Sequence, residues 1–155
     1  MNIKILSVPQ DKIRSNQIGD WWYFGNGNCL IHVLESLSLE AQLAVAVHEL
    51  VEAVRCSHHR VSDDAVCQFD DQYEAERKKG QHGEDDEPGD DPRSPYRAEH
   101  QDATFVERAL CHVIGISWPT LEPLVLRLEE APPRRPSLEP LLSLSSEPPP
   151  KHVLD

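Results

Sequence analysis

The stretch "GDWWYFGNGNCLIHVLESLSLEAQLAVAVHELVEAV", residues 19–54, predicts a β-hairpin that runs directly into a long helix. Residues 21–24 and 29–34 are rich in the aromatic and β-branched side chains typical of strands, and the Gly and Asn residues of "GNGN" tolerate the positive φ of a tight turn. A helix is predicted over 38–57, with Ser36 or Ser38 as its N-cap. Its apolar face is expected to comprise Leu39, Leu43, Val47, Leu50, Val51 and Val54.

Outward from this stretch, "MNIKILSV" at residues 1–8 predicts a short strand that stops before Pro9. A second helix is predicted over 63–79, where Ser62 is the cap and Gly80 the stop. A third is predicted over 96–115, between Pro95 and Gly115. Its apolar face is expected to comprise Ala103, Val106, Ala109, Leu110 and Val113.

Two segments lack a periodic pattern. Residues 81–95, "QHGEDDEPGDDPRSP", are acidic and interrupted by Gly and Pro, which predicts a solvated loop. Residues 119–155 are proline-rich, which predicts an extended or disordered tail with at most one short helix over 121–130. The expected fold is therefore α+β: a single domain over 1–118 in which a short N-terminal antiparallel hairpin or sheet packs on about three helices.

The composition excludes several classes of function. The 155-residue chain has a net charge of −12, which disfavours nucleic acid and anionic membranes as partners. No apolar run approaches the length of a membrane span, and no secretory signal is recognisable at the N-terminus. The cysteines, Cys29, Cys56, Cys67 and Cys111, form no CxxC pair and are expected to be reduced thiols. These features predict a cytoplasmic protein.

Side chains able to bind a metal ion or transfer a proton are concentrated in the first predicted helix. His48 and Glu52 are four residues apart, so they lie one above the other on one face and can reach a single point beside the helix. Glu49 flanks that point. The metalloprotease motif HExxH uses this spacing: two ligands hold zinc and the intervening glutamate takes a proton. Here the motif reads H-E-L-V-E, with a carboxylate in place of the second imidazole.

The segment "CLIHVLESLSLEAQLAVAVHELVEA", residues 29–53, resembles the zincin metallopeptidases, in which a strand comes shortly before the active-site helix. The resemblance implies a metal-dependent hydrolase with Glu49 as general base. Glu52 departs from the zincin pattern, in which the second ligand on this helix is an imidazole. A carboxylate oxygen at that position lowers the affinity for zinc relative to iron or manganese. Zinc is the first choice of ion, and iron and manganese are the other two.

A third metal ligand is expected from the later helices. His100 would complete a two-His-one-carboxylate site with His48 and Glu52, and it is preferred narrowly. Asp70, Asp71 and Glu74 are the other candidates, although a solvated acidic face explains any one of them better than metal binding does. A surface pairing with Glu99 or Asp102 is the alternative for His100. Tyr96 or Arg97 is expected to polarise the substrate, and Asp90, Asp91 and Arg93 to cap the site or fix the third helix.

Four motifs, "GDWW", "VAVHELVEA", "FDDQYEAE" and "EPGDDPRSPYRAEHQDAT", resemble a set of small uncharacterised proteins encoded by bacteriophages and related mobile elements. The resemblance spans about residues 19–107 and implies a host bacterial cytoplasm as the compartment.

Two other functions stay open. Glu49 and Glu52, with Asp71 and Glu74 in reversed order, imitate the magnesium-binding acids of MazG-type nucleotide pyrophosphohydrolases. A non-enzymatic acidic accessory protein that binds a host protein is the other alternative, because the charge of −12 would steer encounters with a basic surface.

Overall fold

The computed structural model describes residues 2–14, 17–25, 27–83 and 86–118, and the predicted tail over 119–155 lies outside them. The α+β class is confirmed, since a three-stranded sheet packs on three helices. The elements are β1 (Ile3–Val8), β2 (Gly19–Phe24), β3 (Asn28–Leu34), α1 (Leu39–His59), α2 (Asp63–Arg77) and α3 (Arg97–Ile114), with short 3-10 turns at Gln10–Lys12 and Pro88–Asp90.

The sheet is mixed, in the order β1-β3-β2. The predicted hairpin is confirmed, because β2 and β3 pair antiparallel with Trp21 opposite Ile31. The antiparallel expectation is wrong for β1, which runs parallel to β3. The chain after β1 crosses the end of β3, where Glu35 N bonds to Val8 O and Leu34 N to Ile18 O, so β1 takes the edge of β3 that β2 leaves free.

Helix α1 begins as predicted, since the Ser38 hydroxyl accepts a hydrogen bond from Ala41 N. Its predicted apolar face is wrong in part: Leu39 is 78% exposed, and Leu43 and Val54 are also exposed. Leu50 is half-buried and packs against the core, and Val47 and Val51 are half-buried. The helix contacts both the sheet and α3, and small side chains facing them permit a close approach. The buried residues of α1 are Ala41, Ala44, Val45, Ala46, Glu52, Ala53 and Cys56.

Helix α3 packs on α1 through a face that is largely polar. Gly115 ends it in the left-handed conformation, with φ 78°, as predicted. Of the predicted apolar face, Ala103 is buried, whereas Ala109 is exposed and Val113 is 79% exposed. A different face of α3 packs against α1. The buried residues of α3 are Glu99, His100, Ala103, Glu107 and Cys111.

The segment over 81–95 is not simply a solvated loop, which corrects the prediction for its middle part. Pro88 and Gly89 are buried within the 3-10 turn. Arg93 joins the segment to α2, since its guanidinium lies 2.8 Å from carboxylate oxygens of both Glu76 and Asp91. The segment thus packs on the body at a point next to α3. Within the described residues, no helix has the length and apolar character needed to cross a bilayer.

Candidate metal centre

Three side chains from two helices meet at the α1–α3 interface. His48 Nε2 lies 3.3 Å from His100 Nδ1 and 3.7 Å from Glu52 Oε2, and His100 Nδ1 lies 2.9 Å from Glu52 Oε2. Helix geometry explains the first pair, because residues four apart share a face. The packing of α3 on α1 adds His100. The three residues that the sequence analysis singled out as ligands are therefore brought together.

The triangle has the size of a metal-ligand set. Its sides would place a point in the plane of the three atoms about 1.9 Å from each of them. Zinc binds nitrogen and carboxylate oxygen at about 2.0–2.2 Å, and ligand atoms around a tetrahedral ion are then about 3.4 Å apart. An ion slightly above the plane would have normal bond lengths to all three atoms without any movement of the backbone.

Two of the three residues, His48 and Glu52, also form a hydrogen bond with a buried side chain outside the cluster. His48 turns its other ring nitrogen, Nδ1, to Glu107 Oε2 at a distance of 3.0 Å. The indole Nε1 of Trp21, on β2, donates to the second oxygen of Glu52 over 2.8 Å. Metal-binding imidazoles and carboxylates commonly have such partners, which fix their orientation.

Protons compete with a metal ion for the ring nitrogens of His48 and His100 that face Glu52. Burial alone would lower the pKa of His100, but the hydrogen bond to Glu52 and the nearby carboxylate of Glu87 raise it to about 9. Burial likewise opposes the charge on His48, yet its hydrogen bonds to Glu107 and Glu52 raise its pKa well above the ordinary value. Burial would raise the pKa of Glu52, and the hydrogen bonds from both imidazoles lower it instead. Two imidazolium groups thus flank a carboxylate, and a divalent ion would take the place of their protons.

Glu49 lies beside the cluster and points toward the sheet. Burial and the negative charge of Glu52 raise its pKa to about 8, so the carboxyl holds its proton at neutral pH when no cation is near. A divalent ion at the cluster would lower that pKa and release the carboxylate. Gly19 makes room for the group, since a Cβ there would lie 2.4 Å from Glu49 Oε1.

The other acidic candidates do not join the cluster. Tyr96 donates its hydroxyl to Asp70 Oδ1 over 2.7 Å, and burial raises the pKa of Asp70 to about 7. Asp71 is exposed, and Glu74 pairs with Arg77 on its own helix at 2.8 Å.

The two candidates for polarising a substrate are both engaged elsewhere. The Tyr96 hydroxyl is used by Asp70, and Arg97 Nε donates to the backbone oxygen of Asp90 over 3.1 Å. Arg93 forms ion pairs with Asp91 and with Glu76. These ion pairs connect the residues around Asp91 to α2.

Sequence reasoning missed four residues of the site. Glu107 had a readable signal, because it follows His100 by seven residues and therefore lies on the same face of α3. Trp21 had none, since its role depends on how β2 lies on α1. Glu87 and Gly89 also gave no signal: Glu87 Oε2 lies 3.0 Å from His100 Nε2, and Gly89 packs on the His100 ring, but both belong to a segment without periodicity.

Neither a protein-family model, nor a curated protein, nor a solved structure matches this chain. The assignment of function therefore depends on the geometry of the cluster.

Proposed function

We propose that the protein is a minimal metal-dependent hydrolase that binds one divalent ion through His48, Glu52 and His100. The observation that carries the proposal is the convergence of Nε2, Oε2 and Nδ1 of these residues within 3.7 Å of one another. The partners behind His48 and Glu52, which are Glu107 and Trp21, support it because they leave the inward atoms directed at one point.

The donor set favours zinc, with iron and manganese as the alternatives. Two imidazoles and one carboxylate bind all three ions, and zinc is held by such sets in many hydrolases. When bound, the ion would act as a Lewis acid that polarises a substrate and lowers the pKa of water.

Glu49 supplies the acid-base function of the proposed reaction. Its carboxyl lies one position along α1 from His48 and is electrostatically coupled to both Glu52 and His48. The pKa of this carboxyl is about 8 without a metal ion, and a bound divalent ion would lower it and leave a carboxylate able to accept a proton near neutral pH. A general base contributes about 10²–10⁴-fold to a rate.

A reducing cytoplasm is part of the proposal. The four cysteines are free thiols, and Cys29, Cys56 and Cys111 are buried. Proteins with several unpaired thiols are typical of compartments that keep cysteine reduced.

Metal analysis of the purified protein tests the binding step. We expect one ion per chain after incubation with zinc, iron(II) or manganese, and loss of that ion in His48→Ala and His100→Ala. His58→Ala is the matched control, because His58 is an exposed histidine on the same helix. The bound ion should also raise the melting temperature, by an amount equivalent to about 2.7 kcal/mol when the free ion exceeds its Kd about a hundredfold.

Absence of any bound ion from the wild-type protein would remove the proposal. The cluster would then be an ion-pair network that fixes α1 against α3, and the acidic host-protein binder would become the better reading.

Hydrolysis is tested with Glu49→Gln against a panel of peptide, ester and nucleotide substrates. We expect this variant to keep its ion and to lose activity by about 10²–10⁴-fold. Release of pyrophosphate from nucleotides with magnesium alone would instead favour the MazG-like alternative.

A further inference from the structure

The turn Glu87–Asp90 encloses His100 on the side away from His48 and Glu52. Gly89 lies directly on the imidazole: a Cβ on this glycine would be 2.3 Å from Cγ of His100 and 2.6 Å from both Cδ2 and Nδ1. Real Cβ atoms do not approach a ring so closely, and the ring is not the flexible end of a side chain. The position therefore requires glycine for as long as His100 keeps its present orientation.

Glu87 lies at the opposite nitrogen of the same ring. Its Oε2 is 3.0 Å from His100 Nε2, and the contact is an ion pair that lies off the direction of the N–H bond. The Nε2 atom is enclosed, and His100 as a whole is only 7% exposed. The negative charge of the Glu87 carboxylate, 3.0 Å away, favours a proton on this enclosed nitrogen.

The tautomer of His100 decides whether the ring can bind an ion. Nδ1 faces Glu52 and His48, so a metal bond there requires the lone pair on Nδ1 and the proton on Nε2. A carboxylate at Nε2 stabilises this arrangement, as the partners of metal-bound imidazoles generally do. The turn thus acts on the one ligand that comes from α3.

Hydrogen bonds connect the turn, and the residues that follow it, to α3 and to α2. Arg97 Nε donates to the Asp90 backbone oxygen over 3.1 Å, and Asp91 N donates to Pro88 O. The Arg93 guanidinium then links Asp91 to Glu76 of α2. These contacts hold Glu87 and Gly89 in a fixed relation to α3.

We propose that the turn Glu87–Asp90 is a positioning element of the metal centre, in which Gly89 fixes the plane of the His100 ring and Glu87 fixes the proton on Nε2. The inference rests on the proposed function, because the benefit of this tautomer is metal binding. It adds that this turn, within the acidic segment that the sequence predicts to be a solvated loop, is a component of the site.

The test measures zinc affinity by chelator competition and the His100 tautomer by ¹⁵N NMR, in Glu87→Ala, Glu87→Gln and Gly89→Ala. We expect Glu87→Ala to bind zinc about 10–100-fold more weakly. In the zinc-free protein, at a pH where the imidazole is neutral, Glu87→Ala should shift the tautomer equilibrium of His100 further from Nε2–H toward the Nδ1–H form that the hydrogen bond to Glu52 favours. Glu87→Gln should restore part of both properties, because its amide oxygen keeps a partial negative charge beside Nε2. Gly89→Ala should weaken zinc binding at least as strongly.

Glu40→Ala is the matched control, since it also removes a glutamate carboxylate and Glu40 is an exposed residue in the first turn of α1, outside the cluster. It should leave the tautomer unchanged and the zinc affinity within about twofold of wild type. Unchanged tautomer and affinity in Glu87→Ala would overturn the inference.

A second outcome would also overturn it. Glu87, Asp90 and His100 have ligand atoms within 4.8 Å of one another, so binding of two zinc ions per chain, one of them lost in both Glu87→Ala and Asp90→Asn, would make Nε2 a ligand instead of a donor.

If the wild-type protein binds no zinc, the proposed function fails. The zinc-free tautomer measurement then still decides whether Glu87 orients His100, so the two failures are distinguishable.

Discussion

His48 and His100 lie 52 positions apart in the chain, yet His48 Nε2 and His100 Nδ1 are 3.3 Å apart in a buried interface. Two protonated imidazoles at this distance would repel each other strongly. Glu52 and Glu107 offset the repulsion, because Glu107 accepts a hydrogen bond from His48 and Glu52 accepts one from His100. The α1–α3 interface therefore depends on charge balance as much as on apolar burial.

Glu107→Gln should weaken zinc binding by about 10–100-fold, because His48 Nδ1 loses the charged acceptor that orients its ring. Chelator competition measures the change. Glu99→Gln is the matched control: Glu99 is also a buried acid on α3, and it bonds to His59, which is not in the cluster. Equal losses in the two variants would contradict a specific role for Glu107.

Asp70→Asn should stabilise the protein above neutral pH. The pKa of Asp70 is raised from 3.8 to about 7 on folding, so the stability linked to its proton is complete below pH 3.8 and is lost as the pH rises to about 7. Asparagine stays neutral and can still accept the hydrogen bond from Tyr96. We expect a gain of about 1–2 kcal/mol in the free energy of unfolding at alkaline pH, less than the full shift implies because the group is partly exposed.

Urea unfolding of this variant and of wild type across pH measures the effect, and the difference between them should shrink as the pH falls toward 4. Asp71→Asn is the control, because Asp71 is next to Asp70 in the chain and its own carboxyl is exposed. A constant difference across the whole range would show that the effect has a cause other than ionisation.

Trp21→Phe should destabilise the protein by about 1–3 kcal/mol beyond the cost of the smaller ring, because Glu52 Oε1 loses its buried donor. Thermal unfolding measures this. Trp22→Phe is the comparison: Trp22 is equally buried on the same strand, and its ring packs on His32 and lies under the Arg14 guanidinium. If both variants lose the same stability, the indole bond to Glu52 contributes nothing of its own.

Local rules were sufficient for the helices and the hairpin and for two of the three cluster residues. The cap at Ser38, the stop at Gly115 and the shared face of His48 and Glu52 follow from helix geometry within a few residues. The hairpin followed from "GNGN" and its flanking residues. Each of these depends on neighbours in the chain.

The remainder depends on how the elements pack. Leu39 and Leu43 have helical spacing but lie on the exposed side of α1, because small residues such as Ala44 allow a closer approach to the sheet and to α3. His100 was one of several candidates, and only the position of α3 on α1 selected it. Gly89 was hidden in a polar segment, since nothing in a sequence shows that a glycine lies against a ring 11 residues later.

The parallel pairing of β1 with β3 has a consequence for the order of folding. Strand β1 takes the edge of β3 opposite to β2, and Ile3 and Cys29 are far apart in the chain, so closing that loop is slower than forming the hairpin. Trp21, His48, Glu52 and His100 all follow the β1 segment. Their assembly therefore need not wait for the N-terminal strand, an edge strand whose residues are mostly exposed.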